Sequence, residues 1–212
     1  MKNIPAFTSS GGVASLVLEE IPYKKEAYIR IHNVYDFEIL IADCISFCKA
    51  VGAEKIYASG AVPPNRYLIH TEIWMLSADR CQLPITDAKL VPVTENTLVN
   101  WIEIYNRKMR NVHNAATMNQ TKCVKLLETE DVYFVYKSNV QIGICKGKNG
   151  VIDVIASTTI GGGADVVLAM CSAFSVPDIH VQVASTNAKA LNLYNKLGFS
   201  KVETISVWYK VL

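Results

Sequence analysis

Between Val151 and Ala184 the chain reads as strand, glycine turn, helix and strand, and this run constrains the fold more than any other. Residues 151–156 (Val-Ile-Asp-Val-Ile-Ala) are nearly continuously apolar, the composition of a central strand covered on both faces. Thr158-Thr159-Ile160-Gly161-Gly162-Gly163 follows, then an apolar helix over about 164–175 stopped by Pro177, then a strand at 179–184. Two strands joined through a helix pair in parallel by a right-handed crossover. The expectation is one mixed sheet over residues 88–212, in which 151–156 and 179–184 are neighbours that diverge at their C-terminal ends.

The rest of the pattern supplies partners for that unit. Residues 13–18 and 27–34 read as strands, the second with period-2 alternation. Asp36 is placed to cap a helix running to about Val51, where Gly52 supplies a left-handed stop. Strands at 55–59 and 68–76 follow, and the polar stretch 78–89, with Pro84, reads as a connection. Residues 90–93 form a strand, and Thr94 opens a helix with Leu98, Ile102, Tyr105, Met109 and Val112 in one stripe. A shorter helix is expected over 121–128, and Lys137-Ser138-Asn139 turns a hairpin between strands 132–136 and 140–145. A helix over 187–197 and one or two strands in 200–212 complete the chain. The fold class is α/β or α+β, a mixed sheet flanked by helices. The division runs 1–80, a connection at 81–89, and 90–212, and the unit 39–59 weakly echoes 164–184.

Composition narrows the function classes. Half of the residues are hydrophobic and 19% are charged, which excludes disorder. The net charge is 21 − 19 = +2, too small for a chain held to nucleic acid by phosphate neutralisation. It is skewed, with 13 basic and 9 acidic groups in 88–212 against 8 and 10 before, which suits a modest attraction for an anionic ligand. No stretch approaches the roughly 18 apolar residues of a spanning helix, and residues 1–5 carry no long apolar leader, so a soluble, cytoplasmic protein without membrane partners is expected. Six cysteines form no CxxC pair, and Cys44 and Cys48, one turn apart, read as core thiols, so no metal is expected.

The run Asn187-Ala188-Lys189-Ala190-Leu191-Asn192-Leu193-Tyr194-Asn195-Lys196-Leu197-Gly198-Phe199 is locally a capped helix ended by Gly198 in the left-handed conformation. As a string, Asn-x-x-Ala-x-x-Leu-Tyr-x-Lys-x-Gly-Phe resembles the helix-and-turn signature of the GNAT superfamily of N-acetyltransferases. The element order of residues 88–212 matches a GNAT domain as well, and residues 1–80 look like a partial, degenerate unit of the same kind. The resemblance implies an acetyl-CoA-dependent transfer of an acetyl group to a primary amine of a small molecule or peptide. It also implies a pyrophosphate loop, Gln/Arg-x-x-Gly-x-Gly/Ala, between central strand and helix. Thr158, Gly161 and Gly163 fill that pattern in one register; another brings Leu168 to its usual place and puts Asp165 at the second small position. Glycines admit a close backbone approach, and the first amides of a helix are unpaired and positively polarised. On the resemblance, Ile155, Ser157, Ile160, Gly161, Gly162, Gly163, Ala164, Asn187 and Tyr194 bind acetyl-CoA.

The reaction sets further demands. An amine with a pKa near 10.4 must lose its proton to a base, and the departing thiolate needs an acid. The resemblance implies that the acid is Tyr194; the alternative is a hydroxyl that merely satisfies a buried carbonyl. Asp153 is the base candidate, as the one ionisable residue inside the central strand, and the competing reading pairs it with Lys148 or leaves it solvated. His180 alternates with Val181 and Val183 and so faces the other side of its strand. Glu95 and Glu103 read as solvated helical carboxylates, and Arg107, Lys108 and Arg110 suit a helix C-terminus. A second function class remains open, a catalytically weak acyl-CoA-binding or protein-interaction module, as does a homodimer. The N-terminal half has no glycine loop before its helix (His32-Asn33-Val34-Tyr35-Asp36) and is expected to bind no CoA.

Overall fold

The computed structural model describes residues 6–63, 65–119, 126–128 and 131–212. They form two compact units, one holding the chain to Glu72 together with Ile205–Leu212, the other holding Ile73–Thr204. The boundary after Glu72 falls inside the strand Ile69–Asp79.

The first unit contains β1 (Ala6–Ser9), β2 (Gly12–Val17), the short α1 (Ile21–Lys24), β3 (Glu26–Val34), α2 (Phe37–Ala50) and β4 (Lys55–Gly60). β2 and β3 are antiparallel. β3 and β4, joined through α2, pair in parallel from Glu26↔Lys55 through Ile31↔Gly60, so their ladder closes along its length. Ala27, Ile29 and Ile31 of β3 meet Leu40, Ile41, Cys44 and Cys48 of α2 in one dry core. Burial pushes the Cys44 thiol up to about 12 and the Cys48 thiol to about 11, as inert core thiols require. The carboxylate of Asp36 caps α2 by accepting from Ile39 N–H at 3.1 Å.

The second unit takes its strands in the order β5 (Ile69–Asp79), β10 (Asp178–Ala184), β9 (Val151–Ser157), β8 (Val140–Lys148), β7 (Asp131–Lys137), β6 (Lys89–Pro92). Its helices are α3 (Glu95–Met109), α4 (Gly163–Ser172) and α5 (Ala188–Lys196); of β11 (Ser200–Lys210), the part from Ile205 on belongs to the first unit, where Tyr209 pairs with Ala58 of β4. β9 and β10 pair in parallel, as the crossover through α4 demands, and the other ladders around them are antiparallel. Ser138 and Asn139 both take positive φ (49° and 64°), the primed turn that a two-residue hairpin needs. Adjacent residues Ile144 and Cys145 enter different cores, Ile144 the one under α3 and Cys145 the one under α4 and α5, so the helices cover opposite faces. Trp101 anchors α3, fully buried, with its indole N–H donating to the Tyr133 carbonyl at 3.1 Å.

The elements differ from expectation at marginal places. β1, α1 and the extension of the fifth strand to Asp79 lack a hydrophobic period of their own; Asp79 belongs to the strand because it stands opposite Asp178 of β10. Residues 151–156 are less covered than their composition suggests, since Asp153 is exposed within them. Of the helix expected over 121–128, residues 126–128 are helical and the remainder lies outside the described residues. Residues 200–212 hold one strand. Among the described residues, no helix is long and apolar enough to cross a membrane.

Candidate active site

The site begins where β9 and β10 part. They pair only through His180↔Val151 and Val181↔Ile152, and His180 N–H donates to the Gly150 carbonyl at 2.8 Å. β9 continues to Ser157 and β10 to Ala184 with no further pairing between them among the described residues. The expected neighbours are therefore present and do diverge.

A single residue re-aims the strand there. Against β8 the register steps from Gly147↔Ile152 to Lys146↔Val154, so Asp153 stands opposite nothing and forms a β-bulge. An extra residue inverts the alternation downstream. Ile152 enters the core under α4, whereas Val154 and Ala156 enter the core under α3. Peptide groups invert with the side chains. The Gly150 carbonyl faces β10, but beyond the bulge the Ala156 carbonyl faces β8, 2.7 Å from where a Cβ on Gly143 would stand. The N–H and C=O of Ile155 consequently point toward the gap that β10 has left.

The glycine turn is tied to β8. Thr158 N–H donates to the Ile142 carbonyl at 2.8 Å and its hydroxyl to the Gln141 carbonyl at 3.0 Å, so this side chain points away from the turn. Ser157 Oγ lies 3.1 Å and 2.7 Å from the carbonyls of Ile142 and Thr159. Ile142 is itself a bulge residue, passed over between Val135↔Gly143 and Tyr136↔Gln141. Gly161, at φ 82°, makes the left-handed step that leads into α4. Gly162 is the N-cap of α4 and lends no side-chain cap, and a Cβ there would stand 2.5 Å from Thr159 Oγ1. A Cβ on Gly163 would stand 3.1 Å from Leu193 of α5. The amides of Gly163, Ala164 and Asp165 belong to the first helical turn, which has no intrahelical carbonyls to bond. Ile160 projects fully into solvent. The backbone donors fit a diphosphate; no cationic side chain stands in the turn itself.

Asp165, at the second small position in one register of the expected loop, does not turn toward that seat. Its carboxylate accepts from the Thr86 hydroxyl at 2.6 Å and from Lys137 Nζ at 3.0 and 3.1 Å, while Lys137 also meets Asp87 at 3.0 Å. The Thr86 hydrogen bond first, then Lys137, hold the Asp165 carboxyl below the usual carboxylate range against the opposite push of burial.

The remaining candidates are placed as follows. Asn187 caps α5, accepting from Ala190 N–H at 3.2 Å. Tyr194 lies on α5 inside the core under α4, its ring 5.6 Å from that of Phe199. Burial, and after it the neighbouring Cys171 thiol, push its phenol well above the ordinary tyrosine value. Asp153 is partly exposed and accepts from Lys146 Nζ at 2.8 Å; Lys146, not Lys148, is its partner, because the bulge sets Asp153 beside Lys146 on the neighbouring strand. His180 stands at the last strand pairs, with Nδ1 buried and without a hydrogen-bond partner. Glu95 and Glu103 are exposed. Sequence reasoning missed Lys137 and Thr86, which no local pattern links to Asp165, and Lys146, which only the bulge brings to Asp153. Among the described residues, no three His, Cys, Asp or Glu side chains are grouped to hold a metal.

No protein-family model matches the chain, and no curated protein matches it in sequence. Solved structures match its fold. A GCN5-related N-acetyltransferase from Sphaerobacter thermophilus superimposes with a TM-score of 0.58 at 10% identity, over 94% of this chain and 76% of that one. A second, from Kribbella flavida, gives 0.59 at 10% identity over 96% of this chain, which spans 58% of that longer protein. A functionally unknown conserved protein from Staphylococcus epidermidis ATCC 12228 gives 0.57 at 10% identity, over 98% and 93% of the two chains. The chain has the mixed α/β fold of the GCN5-related N-acetyltransferases. At such identities the likeness is one of fold.

Proposed function

We propose that the protein is an acyltransferase that moves an acetyl group from acetyl-CoA to a primary amine of a small molecule or peptide. The observation that carries this reading is the parting of β9 from β10 after Ile152, with the glycine turn and the uncapped N-terminus of α4 directly beyond it. A split sheet offers unpaired strand amides, and a helix start beside it offers donors for a diphosphate. In the first unit, β3 and β4 stay paired and Asp36 fills the start of α2, which supports the expectation that only the second unit takes CoA.

In this reading the amides of Gly163, Ala164 and Asp165 hold the diphosphate, with Ser157, Ile160, Gly161, Gly162 and Asn187 shaping its surroundings. The Ile155 N–H is the donor for the oxyanion formed when the amine attacks the thioester carbonyl. Asp153, held by Lys146, takes the proton of the attacking ammonium. Tyr194, neutral across physiological pH, gives its hydroxyl proton to the departing thiolate. The new bond is C–N and the broken one C–S; nitrogen loses two protons, the first released through Asp153 before attack and the second, after the C–N bond forms, replacing the one that Tyr194 gives to sulfur.

The test has two stages. Acetyl-CoA at about 100 times Kd stabilises a protein by roughly 2.7 kcal/mol, so a thermal shift is expected, and its absence ends the reading. Thiol release across a panel of primary amines then reports turnover. A second reading, an acyl-CoA-binding module without turnover, is favoured by the Asp153–Lys146 ion pair and the burial of Tyr194. A shift with no thiol release selects it.

A further inference from the structure

The start of α4 carries an acid in a place where an acid ordinarily closes an anion seat. With Gly162 as N-cap, Asp165 is the third residue of the helix, and a carboxylate there reaches back over the first-turn amides. In the first unit the acid at the helix start does bond its own helix, Asp36 taking the Ile39 amide. Asp165 instead gives both oxygens to groups outside α4: Thr86 and Lys137 share Oδ1, and Lys137 also takes Oδ2. Lys137 comes from the hairpin end of β7, and Thr86 is braced by Ala88 N–H donating to its hydroxyl at 3.2 Å. The Lys137 ammonium is shared with Asp87, which is largely exposed.

We infer that Lys137 and Thr86 are positioning residues that hold the Asp165 carboxylate off the first turn of α4 and so keep its amides open to the acyl-CoA diphosphate. This rests on the acyl-CoA reading above. Without Lys137, the carboxylate has the nearby N–H groups of its own helix as its remaining strong donors besides Thr86. It then competes with the diphosphate for the same amides and repels it. The competition is purely electrostatic and local, so it vanishes when Asp165 is made neutral.

A double-mutant cycle tests this, with acetyl-CoA as the titrant in calorimetry and the melting temperature of each free variant as the folding control. Lys137→Met is expected to weaken acetyl-CoA binding about tenfold, which is about 1.4 kcal/mol. Asp165→Asn keeps the backbone amide and removes the charge, and in that background Lys137→Met is expected to bind acetyl-CoA within about twofold of Asp165→Asn alone. Lys137→Arg keeps affinity. The Lys137→Met loss also shrinks as salt is raised, because it arises from a charge. An equal loss from Lys137→Met in both backgrounds overturns the inference, since Lys137 then touches the ligand or the fold directly. So does an unchanged affinity in the single variant. A wild-type protein that binds no acetyl-CoA ends the functional reading and this inference with it.

Discussion

Replacing Tyr194 by Phe separates chemistry from packing at the most buried group of the candidate site. The ring stays, with its contacts to Phe199 and the core under α4; only the hydroxyl is removed. Among the described residues the hydroxyl has no recorded hydrogen-bond partner, so no stabilising bond is lost and no acceptor is stranded. The change in unfolding free energy should stay below about 1 kcal/mol, a shift of at most about 2–4 °C for a chain of this size. A positioned acid contributes about a hundredfold or more to rate, so kcat should fall by that factor while acetyl-CoA affinity holds. The pH dependence carries a second signature. Burial raises the folded pKa of Tyr194 above its unfolded value near 10, so the folded state keeps a proton that the unfolded chain loses. The stability this contributes is complete below pH 10 and declines above it; Tyr194→Phe should flatten that alkaline limb. The assays are thiol release for kcat and thermal melts between pH 7 and 11. A variant with wild-type kcat refutes the acid assignment and leaves Tyr194 as packing alone.

Three further outcomes are expected. Gly162→Asp should weaken acetyl-CoA binding at least tenfold by calorimetric titration, because a Cβ there stands 2.5 Å from Thr159 Oγ1 and its carboxylate enters the anion seat; an unchanged Kd puts the phosphates elsewhere. Asp153→Asn should lower kcat about 10²- to 10⁴-fold with little change in acetyl-CoA affinity; undiminished thiol release removes it as the base. Trp101→Phe should destabilise by about 1–3 kcal/mol, since it removes the indole's hydrogen bond to the Tyr133 carbonyl and leaves a gap, and a chemical-denaturation midpoint equal to wild type contradicts that account.

Local pattern carried most of the architecture. The elements of the strand–turn–helix–strand run at 151–184, the Asp36 and Asn187 caps, the hairpin turn at Ser138–Asn139 and the stripe of α3 are each written in residues that are near neighbours along the chain. Hydrogen bonds within a turn and apolar period along one element need nothing more. Long-range partners decided the rest. Asp153 reads as the one ionisable residue of an apolar strand, but nothing local marks it as a bulge; the register against β8 makes it one, turning Ile155 toward the gap and bringing Lys146 to the carboxylate. Bulges are set by how two strands mismatch in length, a quantity no single strand contains. Asp165 stands at the second small position in one register of the expected loop, and where its carboxylate goes depends on Thr86 and Lys137, 79 and 28 residues away. Charge at a site is a sum over everything within a few ångströms, and only the folded chain determines which side chains those are.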